Sequence, residues 1–422
     1  MWRAGYRLLI WLAFPFVLAR LWWRGRAEPE YRRNLGERFG FYPPASGKPV
    51  IWLHAVSMGE TRAAEPLLKA LRSRHPDCEL LITQMTATGR EAAQRLLGGN
   101  VRVAWLAYDY PSAVRRFLSH FRPKLGILME TEIWFHLVEE CKRSDVPLLL
   151  ANARMSAKSA RGYAVAAPLV RAALEDLSAV AAQTAEDAER LRSLGARAVE
   201  VTGNLKFDAQ PNAGSETLAA QFRARFGARA VLLAASTREG EEELLLDALE
   251  NNALGDAILV IVPRHPQRFD AVAELLEVRG LKFVRRSAGT GLEGGCDVVL
   301  GDSMGEMDAY YRACDAAFVG GSLLAYGGQN LIEACAAGVP VLIGPYTYNF
   351  AQAAEAAIAA GAAARVKDAG EVMRVARSLL QDRSLRERMG KAGIAFCAAH
   401  RGATERTVAI CERVLSRTTG SR

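Results

Sequence analysis

From residue 49 onward, short apolar runs alternate with longer amphipathic stretches, and past the middle of the chain the alternation begins again. Residues 50–56, 79–83, 101–106, 125–129, 147–151, 179–182 and 199–202 read as strands, separated by helical stretches such as 60–74 and 87–97. Strands that alternate with helices in this way build a parallel sheet covered on both faces. A polar stretch with Pro and Gly at 210–214 then breaks the pattern. Strand candidates resume at 230–235, 257–262, 282–284, 298–300, 316–319 and 340–343, with helices expected over 239–249, 267–278, 306–312 and 329–337. A chain of 422 residues is too long for one compact core. The expected fold class is therefore α/β: two doubly wound domains over 31–208 and 209–422, facing a cleft lined by both sets of strand ends. The last helical region, 384–416, is expected to return towards the first domain.

Composition narrows the chemistry. The seven cysteines are odd in number and scattered without a CxxC, and the six histidines form no paired-ligand spacing, so no structural metal is expected. The net charge is +8, but residues 1–48 hold nine Lys/Arg against three Glu, which leaves a surplus of only two for the rest. A nucleic-acid binder carries its basic residues along the domain that grips phosphates, and this chain does not.

The charge instead flanks an apolar N-terminus. Residues 8–19 read LLIWLAFPFVLA, a run of twelve without a charged residue, followed by Arg20 and then Leu21, Trp22 and Trp23. Twelve is short of the roughly 20 residues a spanning helix needs, and Pro15 interrupts the run. Three choices stay open: a short or tilted span, an interfacial helix with its tryptophans at headgroup depth, or an apolar helix packed on a domain. On either of the first two, residues 1–30 act as a membrane anchor, and the basic cluster over 24–38 favours the anionic cytoplasmic leaflet. Removing residues 1–25 is expected to release the chain from membranes and leave its fold intact.

The stretch 318–344, FVGGSLLAYGGQNLIEACAAGVPVLIG, carries the strongest functional signal. It reads as strand, glycine-rich turn, short helix and strand. Gly320, Gly321, Gly327 and Gly328 permit close backbone approach, and a helix start at Gln329 and Asn330 would attract an anion, above all phosphate. Glu333 lies one turn further on, where a carboxylate can accept hydrogen bonds from ribose hydroxyls. Plain turn chemistry is the alternative.

Further motifs close other strands. HAVSMGE (54–60) ends the first strand and places Glu60 in the first turn of a helix, where it is either a functional carboxylate or a favourable charge against the helix dipole. METEIW (129–134) puts Glu130 and Glu132 at another strand end, where two carboxylates are costly to desolvate unless they bind or react. NARMS (152–156) offers an Asn/Arg/Ser cluster suited to an acidic substrate, and GNLKFD (203–208) brings Lys206 to the domain junction. In the second half, STREGE (236–241), VPRHP (262–266) and GDSMGEM (301–307) follow strands. Arg264 is a planar donor suited to phosphate.

Taken together and in this order, these motifs resemble those of the 3-deoxy-D-manno-octulosonic acid (Kdo) transferases of Gram-negative bacteria. The resemblance extends from YRRNLGERFG (31–40) to at least residue 350. It implies a GT-B glycosyltransferase with an N-terminal membrane-associated helix. Such an enzyme moves Kdo from CMP-Kdo to a lipid A precursor, lipid IVA, on the cytoplasmic side of the inner membrane, without a cofactor. It further implies that Glu60 is the general base and that Glu130 and Lys206 support the transition state. By the same resemblance Pro263, Arg264, Met304, Gly305, Glu306, Asn330, Leu331, Ile332 and Glu333 contact CMP. Family members often carry His where this chain has Gln329.

Overall fold

The structure, a computed structural model, describes residues 2–212, 214–289 and 295–419. It divides into two compact units, Met1–Ala209 together with His400–Arg422, and Gln210–Ala399. Each contains one seven-stranded, wholly parallel sheet.

In the first unit the strands are β1 (Val50–His54), β2 (Glu79–Gln84), β3 (Arg102–Trp105), β4 (Pro123–Met129), β5 (Leu148–Ala153), β6 (Ala179–Ala182) and β7 (Val199–Val201), in the order β3-β2-β1-β4-β5-β6-β7. Alternation along each strand sends neighbouring side chains to opposite faces. Val50 and Trp52 pack with Phe117, Val138 and Val170 on one side. Ile51 and Leu53 pack with Leu67, Leu68 and Leu71 on the other, where the last helix of the chain, Ala403–Thr419, adds Ala403, Val408 and Cys411. The continuous apolar runs read in the sequence are thus the signature of strands buried on both faces. Asp208 fixes the returning segment by accepting from the backbone N–H groups of Gly402 (2.7 Å) and Thr404 (2.6 Å).

The second unit holds β8 (Val231–Thr237), β9 (Ile258–Pro263), β10 (Phe283–Arg285), β11 (Val298–Leu300), β12 (Ala316–Val319), β13 (Val341–Ile343) and β14 (Ala363–Arg365), in the order β10-β11-β9-β8-β12-β13-β14. β14 was not expected from the sequence, because its three residues sit in an alanine-rich stretch without the β-branched side chains that mark a strand. The helix expected over 329–337 is shorter, Ile332–Ala336.

The N-terminal helix runs unbroken over Trp2–Ala27 and includes Pro15. From Gly5 to Arg26 it is long and apolar enough to cross a membrane by length and composition, with mean hydropathy 1.3. Residues Tyr6, Ile10, Phe14, Val17, Leu21 and Gly25 are the ones withdrawn from solvent between 5 and 26, one for each turn. That spacing is a single stripe along the helix. Ile10 and Phe14 pack on the first unit's core, Leu21 packs with Tyr31 and Ala87, and the Tyr6 hydroxyl donates to buried Asp109 at 2.7 Å. The exposed side carries large apolar residues, among them Leu8, Leu12 and Phe16 at 61%, 70% and 78%, together with Arg7, Arg20, Arg24 and Arg26. The expectation that residues 1–25 can be removed with the fold intact is therefore revised, since Ile10 and Phe14 pack against the core of the first unit and Tyr6 bonds to buried Asp109.

Candidate active site

Ligands of doubly wound sheets bind at the carboxyl ends of the strands, where the strand order reverses. In the first sheet that point lies between β1 and β4, and in the second between β8 and β12. β1 leads into Glu60 and β4 into Glu130. Glu60 and Glu130, singled out in the first half of the sequence, therefore follow the two strands that flank one switch point.

Glu60 sits in the first turn of the helix Met58–Arg74, whose N-cap is Ser57. The Ser57 hydroxyl donates to Glu60 Oε1 at 3.0 Å and accepts from the Glu60 N–H at 3.3 Å, while the Val56 N–H donates to Oε2 at 2.8 Å. Glu60 thus closes the helix start in the manner of a capping box, a structural role beyond the favourable dipole charge weighed for it from the sequence. It does not exhaust the residue. Burial pushes the Glu60 carboxyl up to about 7, the Val56 N–H opposes that rise, and the nearby carboxylates of Glu130 and Glu132 add to it. Glu132 is itself raised by burial and accepts from the Trp134 indole at 2.8 Å. His54, fully buried at the end of β1, is pushed down to about 4 by desolvation, so the ring is neutral.

Glu130 follows β4 with a left-handed backbone, φ 57°. Its Oε1 accepts from the Lys206 ammonium at 2.8 Å, and both side chains are largely shielded from solvent. Asn152 was read from the sequence as part of a cluster gripping an acidic substrate. It is fully buried, also has a left-handed backbone (φ 52°), and points its side chain at the chain itself. It belongs to the support of the site.

In the second unit, the glycine-rich turn after β12 differs from the sequence reading. Gly321 has φ 67° as that reading requires, but the N–H groups of Gly321, Ser322 and Leu323 are already taken by the carboxylate of Glu241 at 2.6, 2.9 and 2.9 Å. A fourth N–H, from Arg238, completes the shell at 2.8 Å. Glu241 is fully buried, and the anion held by this turn is a side chain of the protein. Gly320 is required by close approach, since a Cβ there would lie 2.7 Å from the Ser236 carbonyl oxygen and 2.7 Å from Thr237 Cα.

What stays available for a ligand lies on either side. After β9, Arg264 donates from Nε to Gln329 Oε1 at 3.2 Å, which joins VPRHP to the segment after β12. Asn330 donates to Glu333 Oε1 at 3.0 Å and accepts from the Ile332 N–H at 3.2 Å. After β11, Glu306 receives a two-pronged bond from Arg286 at 3.2 and 3.1 Å and another from the Ser303 hydroxyl. Met304 beside it is 39% exposed. Pro263, Arg264, Met304, Gly305, Glu306 and Asn330 to Glu333 thus follow β9, β11 and β12, strands of one sheet whose order places β9 beside β11 and β8 between β9 and β12. Arg264 is linked to Gln329, the neighbour of Asn330, whereas Glu306 is engaged by Arg286 and Ser303. Glu241 was passed over in the sequence, where it appeared only as the last residue of STREGE. Its position just ahead of two further glutamates in a helix whose N-cap is Gly240 was the available signal.

Two doubly wound units, each with a wholly parallel seven-stranded sheet and a switch point at its centre, have the architecture of the GT-B fold class. The fold agrees with a solved UDP-GlcNAc 2-epimerase from Neisseria meningitidis, at a TM-score of 0.61 with 16% identity, covering 86% of this chain and 100% of that one. A family model described as 3-deoxy-D-manno-octulosonic-acid transferase matches residues 33–209, and one described as glycosyl transferases group 1 matches residues 243–396. The 3-deoxy-D-manno-octulosonic acid transferase of Bordetella pertussis is 44% identical over 96% of this chain and 98% of its own length. That of Haemophilus influenzae is 35% identical over 99% of this chain and 100% of its own. The chain belongs to the 3-deoxy-D-manno-octulosonic acid transferase family.

Proposed function

We propose that this enzyme transfers Kdo from CMP-Kdo to lipid IVA in lipopolysaccharide biosynthesis, at the cytoplasmic face of the inner membrane, with Glu60 as general base. The observation that carries the mechanism is the environment of Glu60. A carboxyl held near 7 by burial and by neighbouring carboxylates exchanges a proton efficiently at neutral pH, where an ordinary carboxylate is too weak a base. Glu60 takes the proton of an acceptor hydroxyl, the oxygen attacks the anomeric carbon of Kdo, and the bond from that carbon to the CMP phosphate oxygen breaks. One displacement inverts the anomeric centre.

Arg264 balances the charge on the departing phosphate, with its guanidinium oriented by Gln329. Pro263, Met304, Gly305, Glu306, Leu331 and Ile332 line the nucleotide, and Asn330 and Glu333 reach its hydroxyls. Glu130 and Lys206 form a polarised pair beside the base, the cation balancing negative charge that builds up during transfer. The exposed apolar side of the N-terminal helix meets the bilayer, where the acylated acceptor resides.

The test is direct. Purified enzyme is incubated with CMP-Kdo and lipid IVA, and CMP release is followed together with the product mass. Addition of Kdo to the lipid is expected. CMP release no faster than the spontaneous hydrolysis of the donor would refute the proposal.

A further inference from the structure

Three carboxamides connect the strand ends behind Glu130, and each has its orientation set by a backbone group. Asn152 Oδ1 accepts from the Leu205 N–H at 3.0 Å, so its Nδ2 faces Glu130 Oε1, at 3.5 Å. Gln183 Nε2 donates to the Asn152 carbonyl at 2.9 Å, so its Oε1 is left to accept from Asn204 Nδ2, at 3.0 Å. Asn204 Oδ1 accepts from the Lys206 N–H at 3.0 Å, and Lys206 Nζ returns to Glu130 Oε1 at 2.8 Å. The bonds form a closed ring through Glu130, Asn152, Gln183, Asn204 and Lys206. No amide in it can turn over without breaking a bond to the main chain.

We infer that Asn152, Gln183 and Asn204 are positioning residues that fix the Lys206 ammonium on one oxygen of Glu130 and leave the other oxygen for the reaction. Glu130 Oε2 has no protein partner among the described residues, while Oε1 takes both Lys206 and Asn152. Glu130 and Asn152 are two of the six described non-glycine residues with positive φ, and they stand beside each other at the ends of adjacent strands β4 and β5. Strained backbone of this kind persists where surrounding bonds over-determine it, and the ring supplies those bonds. Asn152 is wholly buried and Gln183 is 9% exposed, so neither is placed to touch substrate. Their effect must pass through Lys206 and Glu130.

The inference rests on the proposed transfer reaction, and one set of assays separates the two. Full-length enzyme is compared with N152D, Q183E, N204D, K206M and the double variant N152D/K206M for kcat, for KM towards CMP-Kdo and for thermal midpoint. N152D keeps the acceptor for Leu205 and sets a second carboxylate against Glu130. Its kcat is expected to fall about tenfold or more with KM changed less than about twofold, the signature of a lost transition-state interaction. In the double variant the cost of N152D should shrink to within about twofold of K206M alone, because coupled residues fail to add. Should N152D not fold, Q183E and half-buried N204D carry the test, each removing one donor from the ring and each expected to lower kcat several-fold, to roughly the extent its bond is coupled to Lys206.

Wild-type kcat in these variants overturns the inference, as does a full additive loss on the K206M background or a K206M enzyme as active as the wild type. No transfer by the wild-type enzyme overturns the reaction itself, and the inference with it.

Discussion

Glu60 is both a helix cap and a titratable group, and the two roles pull its carboxyl in opposite directions. The Val56 N–H favours the anion, and burial with Glu130 and Glu132 disfavours it more strongly, leaving the group near 7. As a base it must be deprotonated, so kcat/KM should fall about tenfold for each pH unit below about 7 and level off above it. An unperturbed carboxylate would place that limb below about pH 5. Glu60→Gln should lower kcat by about 10²–10⁴ with its thermal midpoint within a few degrees of wild type, and should abolish the limb. Glu130→Gln removes a charge that raises Glu60 and should move the limb to lower pH, as pH–rate profiles would show.

At the same scale, Glu241→Ala strips four buried N–H groups of their acceptor and should cost at least about 3 kcal/mol, measurable by denaturant unfolding. The positions of Glu60, Glu130 and Lys206 were legible because strand ends are, whereas the roles proposed for them came from the family resemblance. Glu241 and Gln183 were not readable in the same way. Their partners lie far along the chain, and only the fold brings them together.

Among the elements, the N-terminal helix shows how a local pattern can hide a second one. Counting apolar residues finds the run of twelve and the interruption at Pro15, but not the stripe at Tyr6, Ile10, Phe14, Val17, Leu21 and Gly25. From Tyr6 to Gly25 the stripe extends over about 28 Å at 1.5 Å per residue, so the helix lies along the first unit for nearly its whole length. On the proposed membrane association, a helix held in this way offers the bilayer only its outer side, as an interfacial helix does. Replacing Leu8, Leu12 and Phe16 together with Ser or Gln should release the enzyme into the soluble fraction in vesicle sedimentation, with its thermal midpoint unchanged. Deleting residues 1–25 should instead release it and lower the midpoint by several degrees, because Ile10, Phe14 and the Tyr6–Asp109 bond go with it. The strands show the opposite case. The fourteen-strand plan was legible almost throughout because both faces of each sheet are covered, and the exception, β14, is three residues long and nearly all alanine and arginine.

For the whole molecule, the first unit is assembled from both ends of the chain. The helix Ala403–Thr419 supplies Ala403, Val408, Ile410, Cys411 and Val414 to one face of the first sheet. A chain ending at residue 399 should therefore lose stability in the first unit while the second, Gln210–Ala399, keeps all its strands, and calorimetry should show one transition lowered and one preserved. A ribosome reads out the first unit's strands and then the whole second unit before the closing helix is made. At about 5–20 residues per second, the interval from Ala209 to His400 is roughly 10–40 s. Throughout that interval one side of the first sheet has the helix Met58–Arg74 but lacks the cover that Ala403–Thr419 adds. On the proposed membrane association, the order of synthesis lets the N-terminal helix meet the bilayer before the helix Ala403–Thr419 joins the first sheet.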